Sequence, residues 1–327
     1  MAAVARVRAP ARLHFGLIRF AQRSGPSYGG LGMMIDSPAL EIVAEPQSFW
    51  QAEGPGAVEA EQAARHALAA VAAPRPFRAA RLTVAGEIHR HSGLGSGTQL
   101  ALAAAAAIHA LADRPCPAPE LLARCTGRGN RSAIGAHGFR QGGLLWERGR
   151  EPGAALAPLA ARAAVPADWR VVIALEAEAQ GVSGERERAA FRRLPPIPSE
   201  TTERLQRLAE RQILPATSAG DFATFGETLY EFGRLAGECY RSIQGGPYAT
   251  PLAADRVAAL RRRGVRGAGQ SSWGPALFAM APDPDQAAHL LDGLRADPLF
   301  AGCRSWIARA DNAGAVVTRD PAPAHVG

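Results

Sequence analysis

The chain has 327 residues, 47% of them hydrophobic and 20% charged, a balance ordinary for a globular protein with room for two domains. Its 37 basic residues are all arginine and face 30 acidic ones, for a formal charge of +7. With no lysine, Schiff-base catalysis and a P-loop lysine are both excluded, so phosphate must be met by arginine, backbone amides or a metal.

Aromatic residues make up only 6% and do not interleave with the arginines, so a small polyanion fits as partner better than nucleic acid. Cys116, Cys125, Cys239 and Cys303 are far apart and form no CxxC pair, which points away from zinc and disulfides and towards a reducing cytoplasm. No apolar signal core opens the chain, and the apolar run 100–111 is too short to span a bilayer; no membrane attachment is expected.

In chain order, Val4 to Ile18 alternates and reads as one or two short strands, placing Arg12 and His14 on one face. Gly25 to Gly32 reads as a flexible turn, followed by Met33 to Asp36, a proline stop and a strand from Leu40 to Ala44. Glu53 to Ala73 is an alanine-rich helix, and Arg81 to Ile88 a strand that enters the segment His91-Ser-Gly-Leu-Gly-Ser-Gly-Thr-Gln99. Its glycines (Gly93, Gly95 and Gly97) precede a run of very high helix propensity, with Thr98 as N-cap or first-turn residue. Such a loop brings backbone N–H groups close to an anion, and the helix N-terminus adds favourable partial charge. Leu94, Ser96, Thr98 and Gln99 complete this candidate phosphate cradle; a plain strand-to-helix connection is the alternative.

Pro115 to Pro119 ends the helix, and a short helix runs to about Cys125. Residues 127–143 are dense in glycine and donors. Arg128, Asn130, Arg131 and Ser132 there suit an anionic group through charge-assisted hydrogen bonds, or else form an irregular connection facing water. Leu144 to Glu147 reads as a strand, and Glu151 to Pro166 as a linker or loose helix. The expected domains are therefore residues 1–165 and 166–327. Trp169 to Leu175 is a buried strand, followed by a polar loop that includes Ser183, Glu185 and Glu187. Residues 200–240 read as helical, and Arg256 to Gly264 as a helix ended by glycine. The third Gly/Ser-rich segment, 267–275, precedes a strand from Ala276 to Met280. A helix over 285–294 and a strand over 304–309 follow.

Three donor-laden segments in this order, with Pro10-Ala-Arg12 ahead of them, resemble the GHMP kinase superfamily. The resemblance implies a two-lobed α+β fold with mixed sheets and helices packed on one side. A finer similarity is to the β-ribofuranosylaminobenzene 5'-phosphate synthase branch. It is carried by Arg12-Leu-His14-Phe-Gly16, Gly30-Leu-Gly32-Met-Met-Ile35, the segment 91–99, and Gly127-Arg128-Gly129 with Ser132 and Gly135. Gly181-Val-Ser183-Gly184 and Gln270-Ser-Ser-Trp-Gly-Pro275 complete the pattern. Two departures separate the chain from the kinases: Gly97 stands where they usually carry a second serine, and Gly135 where they tend to carry the aspartate base. Without that carboxylate, phosphorylation of a hydroxyl loses its usual base. An ATP-dependent small-molecule kinase is the alternative, and an arginine-rich nucleic-acid binder a distant one.

What the synthase resemblance implies is decarboxylating phosphoribosyl transfer from 5-phosphoribosyl 1-pyrophosphate to 4-aminobenzoate or 4-hydroxybenzoate, an early step towards tetrahydromethanopterin. The loop 93–99 would bind pyrophosphate with Mg2+, and no organic cofactor is needed. Arg128 and Arg131, with Asn130, Ser132 and Ser183, would anchor the ribose phosphate or the benzoate carboxylate. Gln270, Ser271, Ser272 and Trp273 would close the site from the second lobe, Trp273 stacking on the ring. Arg12, His14 and His91 are the catalytic candidates, and Asp36, Glu185 and Glu187 the candidate metal ligands. A homodimer is expected.

Overall fold

The computed structural model describes residues 3–19, 28–72, 77–176, 194 and 197–321. Its spine is a long antiparallel pair, β1 (Ala3–Arg19) and β2 (Tyr28–Gln47), whose register shifts between Pro10 and Ala11 and between His14 and Gly16. On the far edge of β2 lies β4 (Ala79–Ala85), which pairs in parallel with the short β3 (Gln51–Glu53). The first half of β2 instead pairs with β5 (Leu144–Glu147), which carries β6 (Leu159–Ala163). From the far end of the chain β11 (Val316–Pro321) returns to pair with β1, closing a seven-stranded sheet. The second sheet has the order β10 (Cys303–Arg309), β7 (Arg170–Glu176), β9 (Leu277–Ala281) and β8 (Ala268–Gln270).

Against the first sheet pack α1 (Ala57–Ala70), α2 (Ser96–Leu111) and α4 (Ile134–Gln141), and α3 (Pro119–Thr126) rests on these three helices. From Gln99 to Leu111 every residue of α2 is buried, and the alanines let the strands and neighbouring helices approach it from several sides. In the second half, α5 (Ser199–Leu208) continues through a π-turn at Ala209–Ile213 into α6 (Leu214–Ala219). Pro215 lacks the N–H an unbroken α-helix would use, and the widened turn accommodates it. Next come α7 (Phe222–Glu238), α8 (Arg241–Gln244), α9 (Pro251–Arg262) and α10 (Pro284–Arg295).

The two sheets meet where β10 touches β2 and where Phe15 of β1 reaches the second sheet. Phe15 packs edge-on against Phe278 at 5.0 Å, and Trp146 against Phe232 of α7 at 6.4 Å. Gly16 is needed at this junction, because a Cβ there would lie 2.5 Å from the Ala236 side chain. The α+β fold with two sheets agrees with expectation, and most predicted elements fall within a few residues of those observed.

Four readings differ. Within the expected turn at 25–32, the described part is already strand from Tyr28. Its glycines serve close approach: a Cβ on Gly29 would lie 2.5 Å from the Glu147 carbonyl oxygen, and one on Gly32 2.7 Å from that of Leu13. Pro38 does not stop the strand either, since β2 runs through it. The supposed linker contains β6, and the irregular 127–143 connection contains α4. Gly138 hid that helix, although a Cβ there would strike Met34 Sδ at 2.3 Å, so packing demands the glycine that propensity penalises.

Candidate active site

Strand β4 feeds the glycine segment, and the segment feeds α2. Gly93 (φ 85°) and Gly95 (φ 84°) both take left-handed backbone, with Gly95 at the N-cap and Thr98 in the first turn, the second of its two expected places. Space requires glycine too: a Cβ on Gly93 would lie 2.3 Å from the Ser271 carbonyl oxygen, and one on Gly95 2.8 Å from Arg12 Cγ. No side chain caps α2, which leaves the amides of Ser96 and Gly97 available to an anion.

Beside this turn lies a cavity of about 900 Å³. One end is cationic. The Arg128 guanidinium lies over the first turn of α2, 3.4 Å from where a Cβ on Gly97 would stand. Burial lowers the Arg128 pKa below its ordinary value, nearby Glu59 opposes that shift, and Glu59 itself pairs with Arg90. Arg12, Asn130 and Arg131 line the same end, with Gly93, Gly95, Ser96, Gly97 and Thr98 along the loop. His91 stands exposed on the wall in left-handed backbone (φ 58°).

The other end is aromatic. Phe15, Tyr28, Tyr240, Tyr248 and Trp273 line it with Leu17. Trp273 meets Tyr240 edge-on at 5.1 Å, and the Tyr240 hydroxyl donates to the Leu17 carbonyl at 3.0 Å. Tyr248 is buried, its hydroxyl has no hydrogen-bond partner among the described residues, and burial pushes its pKa up. Gln270 and Ser272 join this wall; Gln270 donates to the Ser272 carbonyl and accepts from the Ala249 amide.

Between the two ends runs a seam of hydrogen bonds. Ser271 Oγ accepts from the His14 amide at 3.0 Å and donates to the Gly93 carbonyl at 2.7 Å, while the Ser272 amide donates to the His14 carbonyl at 2.8 Å. The Arg12 amide donates to the Leu94 carbonyl at 3.0 Å. Leu94, Gln99 and Ser271 are therefore braces rather than cavity walls: all three are buried, and Gln99 Nε2 donates to the Gly135 carbonyl at 3.0 Å.

His14 and Ser132 sit side by side on the wall, with His14 Nε2 3.0 Å from Ser132 Oγ. Burial, and then the charge of Arg12, holds His14 well below its usual pKa, so the ring is neutral. Behind Ser132 lies Glu147, fully buried at the end of β5. Its Oε2 accepts from the Ala133 amide at 2.6 Å, and Oε1 has no hydrogen-bond partner. Burial pushes this carboxyl up to about 8; the Ser132 hydroxyl, the Ala133 and Ile134 amides and Arg12 pull the other way. Sequence reasoning missed Glu147, Arg90 and the tyrosines. The string Leu144-Leu-Trp-Glu147 reads as an ordinary strand, and its partners lie on other elements.

Asp36 lies outside the cavity, where its carboxylate pairs with Arg309 Nε at 2.8 Å and accepts from the Arg309 amide. That place, away from the cavity, removes Asp36 from the candidate metal ligands at the loop. Ser183, Glu185 and Glu187 fall outside the described residues. Among the described residues no group of three or more His, Cys, Asp or Glu could hold a metal ion, and no helix is long and apolar enough to cross a membrane.

Comparison with known proteins agrees with this fold. The "GHMP kinases N terminal domain" profile matches residues 59–140, and "GHMP kinases C terminal" matches 213–298. The β-ribofuranosylphenol 5'-phosphate synthase of Methanothermobacter thermautotrophicus is 30% identical over 299 residues, covering 85% of this chain and 88% of that protein. Its namesake from Archaeoglobus fulgidus is 32% identical over 243 residues, covering 70% and 75%. Homoserine kinase from Cytophaga hutchinsonii shares the fold at a TM-score of 0.71 and 17% identity, over 96% of this chain and 97% of that one. Mevalonate-3-kinase from Thermoplasma acidophilum does so at 0.70 and 13%, over 98% and 99%. The chain belongs to the GHMP kinase superfamily and, within it, to the β-ribofuranosylphenol 5'-phosphate synthase family.

Proposed function

We propose that the chain catalyses decarboxylating phosphoribosyl transfer from 5-phosphoribosyl 1-pyrophosphate to a 4-substituted benzoate, releasing carbon dioxide and pyrophosphate. The relatives' name contains phenol, which makes 4-hydroxybenzoate the acceptor of choice. The observation that carries the reading is one cavity joining an arginine-and-amide end to an aromatic end, in a kinase-like fold.

The physical demands of the reaction match the two ends. As pyrophosphate leaves, C1 of the ribose gains oxocarbenium character, and the ring attacks through the carbon bearing its carboxylate. Loss of carbon dioxide then restores aromaticity. Arg128 and the amides of Ser96 and Gly97 bind the pyrophosphate as its charge develops. Arg131 and Asn130 anchor the ribose phosphate, while Tyr28, Tyr240 and Trp273 hold the ring over C1 and exclude water.

A Mg2+ ion fits this end as a diphosphate-borne ion, because magnesium commonly takes one or two carboxylates and completes its shell with phosphate and water. Ser96, Thr98 and the Glu59 carboxylate, which Arg90 keeps below its ordinary pKa, would hold it. It would neutralise charge on the leaving group.

The reaction is tested by supplying carboxyl-labelled 4-hydroxybenzoate, phosphoribosyl pyrophosphate and magnesium. Labelled carbon dioxide should appear in step with pyrophosphate, and none without the phosphoribosyl donor. ATP turnover with a small alcohol and no labelled gas would overturn the reading in favour of a kinase.

A further inference from the structure

Left-handed backbone is taken almost everywhere in this chain by glycine. Among the described residues only His91, Asp113 and Ser272 have a positive φ without being glycine. Asp113 lies just beyond α2, where its carboxylate meets Arg319 at 3.4 Å. The other two stand on the cavity wall, His91 two residues before Gly93 and Ser272 next to the serine that bonds Gly93.

At Ser272 (φ 56°) the strained backbone is held from both sides. Its amide donates to the His14 carbonyl at 2.8 Å, and its carbonyl accepts from Gln270 Nε2 at 3.0 Å. The residue is exposed on the cavity wall, and no described residue bonds its hydroxyl. A glycine would make the same two backbone bonds without strain. What serine adds is a hydroxyl offered to the cavity.

The geometry points to Ser272 Oγ as the hydrogen-bond acceptor for the C2 hydroxyl of the phosphoribosyl donor. This rests on the reaction proposed above. In that reaction pyrophosphate occupies the arginine-and-amide end and the ring the aromatic end, so C1 lies at the seam between them. Ser272 belongs to that seam, bonded to His14 directly and tied to Gly93 through Ser271. The C2 hydroxyl is the sugar hydroxyl next to the reacting carbon. Of the other serines and threonines on the wall, Ser132 already meets His14, and Ser96 and Thr98 lie in the first turn of α2 at the anion end.

Such a contact acts on the rate. As the C1–oxygen bond breaks, its electron pair leaves with pyrophosphate and C1 gains positive character. Electron density drawn from C2 makes the C2 hydroxyl a stronger donor, so its bond to Ser272 tightens in the transition state. The proton stays on the sugar oxygen throughout, and no oxidant, reductant or base is consumed.

A donor with fluorine in place of the C2 hydroxyl separates this contact from a structural role. Fluorine keeps the size of the group but cannot donate. The readout is kcat/KM for phosphoribosyl pyrophosphate divided by kcat/KM for its 2-deoxy-2-fluoro analogue, from labelled carbon dioxide release at saturating 4-hydroxybenzoate. In wild type that ratio combines the intrinsic effect of fluorine with the lost contact; without the Ser272 hydroxyl only the intrinsic effect remains. The ratio should therefore fall about tenfold in Ser272→Gly and equally in Ser272→Ala, the size of one hydrogen bond strengthened in the transition state. Ser272→Gly also relieves the backbone and should melt at or above the wild-type temperature. A merely structural serine lowers both kcat/KM values together, so a ratio within twofold of wild type in a folded variant overturns the contact and leaves the reaction standing. Wild-type enzyme that releases no carbon dioxide with the natural donor removes the reaction and the contact together.

Discussion

Ser271 and Gly93 are joined across 178 positions of sequence by a 2.7 Å hydrogen bond from the serine hydroxyl to the glycine carbonyl. The same oxygen accepts the His14 amide, so one buried side chain holds three parts of the site in register. Ser271→Ala strands the buried His14 N–H and should cost about 1–3 kcal/mol of stability. Urea unfolding measures it, and the KM for phosphoribosyl pyrophosphate should rise because the glycine turn loses its brace.

Gly95 carries both a conformational and a spatial demand. At φ 84° an alanine pays roughly 1–2 kcal/mol for left-handed backbone. Its Cβ would also stand 2.8 Å from Arg12 Cγ, displacing that side chain. Gly95→Ala should therefore lower both Tm and kcat, whereas a change confined to Tm would show that Arg12 does not act in turnover.

The Arg128 guanidinium makes no hydrogen bond or ion pair with other described residues, so removing it should leave Tm close to wild type. Losing a charge-assisted hydrogen bond of about 1.5–3 kcal/mol corresponds to a KM for phosphoribosyl pyrophosphate roughly ten- to a hundredfold higher in Arg128→Ala. Lysine should restore only part of the loss, because it cannot offer the planar fork. Steady-state kinetics with the three proteins decides it.

Stability against pH reports on Glu147 independently of turnover. Its folded pKa of about 8 lies above the ordinary 4.5, so the folded state holds more protons than the unfolded state between those values. Its contribution is full below about 4.5 and is lost as pH rises through about 8. His14 works in the opposite sense, its pKa being lowered from 6.5, so its contribution is present above that value and lost as pH falls. Comparing wild type with Glu147→Gln isolates the first term: the Tm difference should move steadily in favour of the variant from pH 5 to 8.5. A flat difference would place the carboxyl at its ordinary pKa.

Much of the anion end was legible because it is local. The glycine spacing, the alanine run behind it and the two-residue offset of Arg12 and His14 each have a short-range physical meaning. The aromatic end was legible only at Trp273, since Tyr28 and Tyr240 join it only when α7 and the 267–275 segment fold over β1. Glu147 was equally invisible. A single glutamate ending a four-residue strand carries no signal until β5 pairs with β2 and α4 presents its first amides. Asp36 shows the converse: its acidity drew attention, but Arg309, 273 positions away, claims it.

The central claim is that a carbon–carbon bond forms between the ribose and the ring carbon that loses its carboxylate. Supplying the donor labelled with 13C at ribose C1 and 4-hydroxybenzoate labelled at the ring carbon bearing the carboxylate places the two reacting atoms in one product. The product's 13C spectrum should show a one-bond coupling between those two carbons. A product without that coupling, the sugar joined through oxygen or the carboxylate retained, would contradict it.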